Sequence, residues 1–226
     1  MRPAEMFERL AVGALMAASP PRLFDYIAGL HWQRSMLDEW TGGFPFRPGG
    51  SILDVGCGPG ALSASLQAAG ANVTGLDRSS RMIALARRKY SGGGARFAEG
   101  DALALPFGEG TFQAVVAASL VNVVTGPEVL IAEMTRVTVV GGYVSVLFPV
   151  LEFDTAKVDR IADELVVTGF SRTVLGCWQA WSRKLSPETV SGLFEDAGLS
   201  EISVRPLLSG AAASVTGRKV TSIGGT

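Results

Sequence analysis

Apolar and polar residues change rhythm along this chain, and the changes mark out its elements. From about Ala4 to Trp40 apolar residues recur at helical spacing, with a break at Ser19-Pro-Pro21. This predicts a helical N-terminal extension over residues 1–46. Thr41-Gly-Gly43 and Arg47-Pro-Gly-Gly50 are loop signals. Beyond them short apolar runs alternate with helical stretches. A buried strand carries Ile52, Leu53 and Val55, and a helix runs from Ala61 to about Ala69, stopped by Gly70. The strand Asn72–Asp77 precedes a helix capped by Ser79 or Ser80, with Met82, Ile83, Leu85 and Ala86 on its apolar face. Ser91-Gly-Gly-Gly94 reads as a loop, and a third strand runs from Ala95 toward Asp101.

The alternation continues. A fourth strand is predicted from Thr111 to about Ala118, a helix from Pro127 to about Thr138, a fifth strand from Tyr143 to Phe148, and a helix from Asp154 to Thr168. Ser186-Pro187 opens another helix, closed by Gly198. Two last strands, Glu201–Leu207 and about Ala211–Val220, meet at Ser209-Gly210 as a hairpin. No internal repeat is visible. Residues 47–226 therefore predict one α/β unit with a parallel sheet and crossover helices.

The first strand runs into the turn Gly56-Cys57-Gly58-Pro59-Gly60 and then a helix. Strand, glycine turn and helix start together build a nucleotide-type pocket. The acid within the strand narrows the ligand. A pyrophosphate over a helix N-terminus gains nothing from a carboxylate at Asp54, whereas an ammonium or sulfonium group does. S-adenosylmethionine carries both. Asp77, ending the second strand, has the geometry to accept the ribose hydroxyls, and Asp101, ending the third, to meet the adenine amine.

Four stretches in order carry a family resemblance: Leu53-Asp-Val-Gly-Cys-Gly-Pro-Gly60, Gly75-Leu-Asp-Arg-Ser79, Gly100-Asp-Ala-Leu-Ala-Leu-Pro-Phe107, and Glu133 to Gly142 followed by Tyr143-Val-Ser-Val-Leu147. The chain resembles the class I S-adenosylmethionine-dependent methyltransferases, in particular the small-molecule branch of ubiquinone and menaquinone biosynthesis. The resemblance implies a Rossmann-like, doubly wound, seven-stranded sheet with an antiparallel last strand, helices on both faces and an N-terminal helical lid. It implies S-adenosylmethionine as cofactor, held by Asp54, Gly56, Gly58, Gly60, Asp77 and its neighbour Arg78. Asp101 and the Ala102 backbone would hold the base, with Ser119 nearby. It also implies a helix, a glycine turn at Gly141-Gly142 and a fifth strand. In one place the chain departs from the family. Where relatives often have an acid or histidine pair, this chain has Val121-Asn-Val-Val124, leaving Asn122 as the polar residue.

Methyl transfer from a sulfonium is an in-line displacement, so orientation and exclusion of water carry most of the task. His31 is the single histidine and the base candidate, against a packing role. Arg34 is a candidate partner for the cofactor carboxylate, against a surface ion pair. Trp32, Trp40, Phe44 and Phe46 form either an apolar rim or ordinary lid packing. Asn122, Phe148, Trp178 and Trp181, with Phe153, are the candidate acceptor pocket, suited to a flat or apolar small molecule.

Composition sets outer limits. The chain has 226 residues, 47% hydrophobic and 18% charged, with formal net charge −1. That balance argues against nucleic-acid binding, and Arg87-Arg88-Lys89 reads as a solvated helix end. Cys57 and Cys177 make no disulfide framework and read as small packing residues; no metal site is expected. The apolar stretch Leu10–Ala18 is preceded by Glu5 and Glu8, which favours an amphipathic helix over a signal peptide, and a cytoplasmic location follows. No apolar run reaches membrane-spanning length. Two rivals stay open: a nicotinamide-dependent oxidoreductase, opposed by Asp54 and the terminal hairpin, and a non-catalytic binding module, left open by Val123.

Overall fold

The computed structural model describes residues 3–44 and 47–220. Helices α1 (Pro3–Ala18), α2 (Pro20–Gly29) and α3 (His31–Gly42) come first. The expected break falls at Ser19, but a second one falls at Leu30, which is extended (φ −72°, ψ 141°) and makes His31 the first residue of α3. Each short helix can then turn its own apolar stripe inward. On α3 the stripe is Trp32, Met36 and Trp40, all buried and four residues apart.

The alternating region follows with β1 (Ser51–Val55), α4 (Ala61–Ala68), β2 (Asn72–Asp77), α5 (Ser80–Lys89), β3 (Arg96–Glu99), β4 (Phe112–Ala118), α6 (Pro127–Val137) and β5 (Thr138–Pro149). Helix starts are set by local chemistry: Ser79 Oγ accepts from the Met82 N–H at 3.3 Å and closes the first turn of α5, as predicted. The chain continues through α7 (Thr155–Glu164), α8 (Gly169–Trp181), α9 (Pro187–Asp196), β6 (Leu199–Leu207) and β7 (Ala212–Lys219). Asp154 and Ser186 cap α7 and α9.

The strands form one sheet in the order β3-β2-β1-β4-β5-β7-β6. The first five are mutually parallel, while β7 lies antiparallel between β5 and β6. β1 is buried along almost its whole length, as a strand covered on both faces must be. Strand order reverses between β1 and β4, and in open α/β sheets the ligand crevice lies outside the carboxyl ends of the strands at such a point.

Three expectations need correction, and one helix, α8, has no counterpart among them. The Gly141-Gly142 pair is no turn before the fifth strand: β5 starts at Thr138, and the glycines sit in it where the β4–β5 register slips between Phe112 and Ala114. Helix α7 ends at Glu164, four residues early, because Val166 turns to φ +52°. The stretch after it folds as α8, whose mixed apolar and small residues hid a helical stripe (Thr173, Val174, Leu175, Cys177). Finally, β3 ends at Glu99, so Asp101 lies two residues beyond the strand in an isolated bridge with Ala104.

The N-terminal helices are fastened to the rest by side chains. Arg9 donates to the Gly176 carbonyl on α8 at 3.3 Å, Lys89 on α5 pairs with Asp25 on α2, and the Trp40 indole N–H donates to Ser145 Oγ on β5 at 3.0 Å. The Lys89 pair and the bonds from Arg87 to the Phe97 carbonyl agree with a structural role for that basic helix end.

Candidate functional site

The crevice floor is the turn after β1. Gly56, Gly58 and Gly60 all have positive φ (+72°, +53° and +87°). The N–H groups of Gly56 and Cys57 donate to the Leu76 carbonyl at 2.7 and 3.0 Å and tie the turn to β2. The three glycines serve different ends. A Cβ at Gly60 would stand 2.7 Å from the Phe97 ring, so that glycine is there to pack. Gly56 faces Leu120, which brings the segment after β4 against the turn. Beside Gly58 a Cβ would meet nothing within 4 Å, and this is the face open to a ligand.

Asp54 lies beneath the turn and is 1% exposed. Its Oδ2 accepts from Ser63 Oγ at 2.6 Å, while Oδ1 has no partner. Burial pushes this carboxyl up to about 7; the Ser63 bond opposes the rise and the charge of Asp77 adds to it. Ser63, in the first turn of α4, is a participant that sequence reasoning missed; a hydroxyl one turn past the glycines was the available signal. Asp77 is half-buried at the end of β2, where Oδ2 accepts from the Gly58 N–H at 3.0 Å and Oδ1 from the Ser79 N–H at 2.8 Å. Each oxygen keeps acceptor capacity beyond that bond. Cys57 is buried with its thiol pushed up by burial, then by Asp54 and Asp77, so it stays protonated and inert.

Arg78 is exposed next to Asp77. Asp101 is exposed and its Oδ1 accepts from the Leu103 N–H at 2.9 Å, with Ala102 half-buried beside it. Ser119 directly follows β4 with φ +52°, and its N–H donates to the Leu147 carbonyl at 2.7 Å. Asn122 follows at 6% exposure with Oδ1 unpartnered.

Beyond β5 the wall is aromatic. Trp178 on α8 stacks on Trp32 of α3 (centroids 5.5 Å apart, planes 18°) and tilts onto Phe153 (4.9 Å). Trp32 is buried and its Nε1 has no partner. The other proposed residues scatter. Phe148 has no exposed surface and is core of β5; Trp181, at 53% exposure, ends α8 outside this stack. His31 and Arg34 are exposed on α3. Trp40 and Phe44 do not join Trp32 in a rim; they pack toward Ser145 and Tyr143. Phe46 lies outside the described residues. Cys177 is buried and its thiol is pushed up by burial, in keeping with a packing role.

The donor set fits S-adenosylmethionine. An unpartnered buried carboxylate oxygen suits a cationic group, the open face at Gly58 admits a backbone-hugging ligand, and Asp77 can still accept hydroxyls. Among the described residues no group of three or more His, Cys, Asp or Glu is gathered for a metal ion, and no helix is long and apolar enough to cross a membrane.

Residues 53–146 match the family model described as a methyltransferase domain. A demethylmenaquinone methyltransferase of Thermus thermophilus is 41% identical over 133 residues, 57% of this chain and 59% of that protein. One from Bacillus pumilus is 30% identical over 193 residues, 76% of this chain and 80% of that protein. The chain spans about half the length of several curated relatives it matches, between 44% and 59%. In fold it is similar to a solved S-adenosylmethionine-dependent methyltransferase of Thermotoga maritima. That likeness has a TM-score of 0.67 at 20% identity, over 92% of this chain and 99% of the other.

Proposed function

This chain belongs to the class I S-adenosylmethionine-dependent methyltransferases, whose cofactor is S-adenosylmethionine, and we propose that it methylates a small-molecule acceptor on oxygen, carbon or sulfur. The observation that carries the reading is Asp54: a buried carboxylate with one oxygen unpartnered, under a turn whose open face is Gly58. When bound, the cofactor supplies an activated methyl group. The chain's part is to hold and orient. Asp54 and the turn take the cationic amino-acid end, Asp77 the ribose hydroxyls, and Asp101 with Ala102 the base; Arg78, Ser119 and Arg34 stand at the margins.

On the acceptor side, half-buried Trp178, backed by the buried rings of Trp32 and Phe153, offers a flat apolar face, which suits a planar substrate. The names of the Thermus and Bacillus relatives favour the same choice. Asn122 Oδ1 is a hydrogen-bond acceptor awaiting a donor, such as the hydroxyl of a phenol or quinol. His31, beside Trp32, is the base candidate. Alignment in a dry cleft can contribute roughly 7–11 kcal/mol to lowering the barrier. Residues 1–46 serve as a lid over residues 47–226, and the setting is cytoplasmic with no nucleic-acid partner.

Calorimetry of the full chain with S-adenosylhomocysteine and with NADPH tests the cofactor. Turnover of S-adenosylmethionine with a panel of phenols, thiols and quinols tests the reaction. Binding of the first ligand and methylated product from one panel member are expected. Binding of NADPH alone overturns the proposal; cofactor binding with no product from any acceptor leaves a non-catalytic module in its place.

A further inference from the structure

A second cavity, about 210 Å³, lies away from the glycine turn, between the end of α3 and the β5–β7–β6 side of the sheet. Its floor follows from strand register. Ser203 on β6 pairs with Thr216 on β7, Arg205 pairs with Ser214, and Thr216 pairs with Ser145 on β5. Alternate residues share a face, so the hydroxyls of Ser203, Ser214 and Thr216 from β6 and β7 gather in the lining where a sheet under a helix is ordinarily apolar. Behind the lining, buried Ser145 ties two of its members together: its Oγ accepts from the Trp40 indole at 3.0 Å and shares a 2.7 Å hydrogen bond with Thr216 Oγ1. Trp40, Phe44 and Tyr143 supply aromatic walls.

Two side chains of opposite charge, Glu201 and Arg205, line the mouth. Glu201 is held by Arg218 at 2.9 Å. Arg205 makes no ion pair among the described residues. Its guanidinium lies over Gly43, where a Cβ would stand 1.7 Å from Nη1 and would push the guanidinium aside. An uncompensated planar cation, hydroxyl donors and aromatic walls are therefore assembled in one small space.

We propose that this cavity binds a small planar organic anion, an aromatic carboxylate of about one ring, at a site separate from the cofactor crevice. The carboxylate would take the guanidinium fork in a bidentate pair, and the ring would lie against Trp40, Phe44 and Tyr143. The volume is below the 300–1,000 Å³ of pockets for larger ligands, which excludes a nucleoside.

The test is titration of the full chain with benzoate, followed by tryptophan fluorescence and calorimetry, with and without saturating S-adenosylhomocysteine. Saturable binding to one site is expected, unchanged by the nucleoside. Neutral benzamide and inorganic phosphate should each bind about tenfold or more weakly. Arg205→Gln should weaken benzoate by about tenfold or more, and Ser203→Tyr should block the mouth; both residues are exposed on the outer strand, and both variants should keep wild-type affinity for S-adenosylhomocysteine. No saturation by about 10 mM benzoate overturns the site. So does equal binding by phosphate, indifference to Arg205→Gln, or displacement by S-adenosylhomocysteine, which would put benzoate in the main crevice. Each of these outcomes leaves the methyltransferase reading standing, because that reading is judged by nucleoside binding and by turnover of the acceptor panel.

Discussion

The two sides of the crevice are built in opposite ways. On the β1–β2 side the groups that would face a cofactor lie within 24 residues, Asp54 to Asp77, and are joined by backbone hydrogen bonds: Gly58 and Ser79 to Asp77, Gly56 and Cys57 to Leu76. On the far side the wall comes from α3, the end of β5 and α8. Trp32 meets a tryptophan 146 positions later by stacking alone. A site held by main chain keeps its shape whatever lines it. A site held by rings changes shape with each ring, so cofactor binding is confined to the first side and acceptor choice to the second.

That contrast can be broken by substitution. The largest effect is expected at Asp77→Ala, which removes the acceptor for two backbone N–H groups as well as for the ribose. Affinity for S-adenosylhomocysteine should fall about 100-fold, on the order of 3 kcal/mol, by calorimetry. Affinity within threefold of wild type, in a variant with an unchanged circular dichroism spectrum, would remove Asp77 from the site. Trp178→Ala, across the crevice, should cost roughly 3 kcal/mol in urea unfolding and raise the acceptor KM, while leaving nucleoside affinity nearly intact. If nucleoside affinity falls as steeply as in Asp77→Ala, the two sides are not separable. Gly60→Ala forces a Cβ toward Phe97 at positive φ and should destabilise the protein by about 1–3 kcal/mol.

Acidity sharpens the comparison further. Asp54 in the folded chain sits near 7, against an ordinary carboxylate value of 3.8. The folded state thus holds this proton more tightly than the unfolded one. Its contribution to stability is present below about pH 4 and is lost as pH rises through 7. Asp54→Asn should flatten that part of the pH dependence, so that variant and wild type diverge in urea midpoint between pH 5 and 8. Parallel midpoints would mean the carboxyl is not desolvated. The smallest effect belongs to His31→Ala. An exposed position at a helix start should change stability by no more than about 0.5 kcal/mol, and nucleoside affinity should not move. A drop in turnover alone would identify the base, and unchanged turnover would make His31 an ordinary surface residue.

How much of this was legible follows the same division. The glycine turn, Asp54 and Asp77 could be read because their geometry is local: a strand, a turn and a helix cap leave marks at fixed spacing. The last two strands were legible through Ser209-Gly210. What could not be read depended on partners distant in the chain. Gly141-Gly142 looked like a turn because residues 139–142 are the extra length of β5 between its pairings with Phe112 and Ala114, which only the partner strand reveals. Helix α8 was hidden because its buried stripe is set by α1 and α7. Trp32 and Trp40, eight residues apart on one helix, went to different neighbours, one to Trp178 and one to Ser145. That Gly60 packs while Gly58 stays open depends on Phe97, a residue of β3.

The placement of β7 between β5 and β6 has a consequence for how the molecule is made. Neither neighbour can find the other until that strand arrives, although β6 precedes it in the chain. Until then the flank of β5 is a bare row of amides and carbonyls next to Val144, Val146 and Phe148, an invitation to intermolecular pairing. A nascent chain halted before Ala212 should therefore be the aggregating species. Closure of the sheet is a late event, decided by residues remote from the glycine turn.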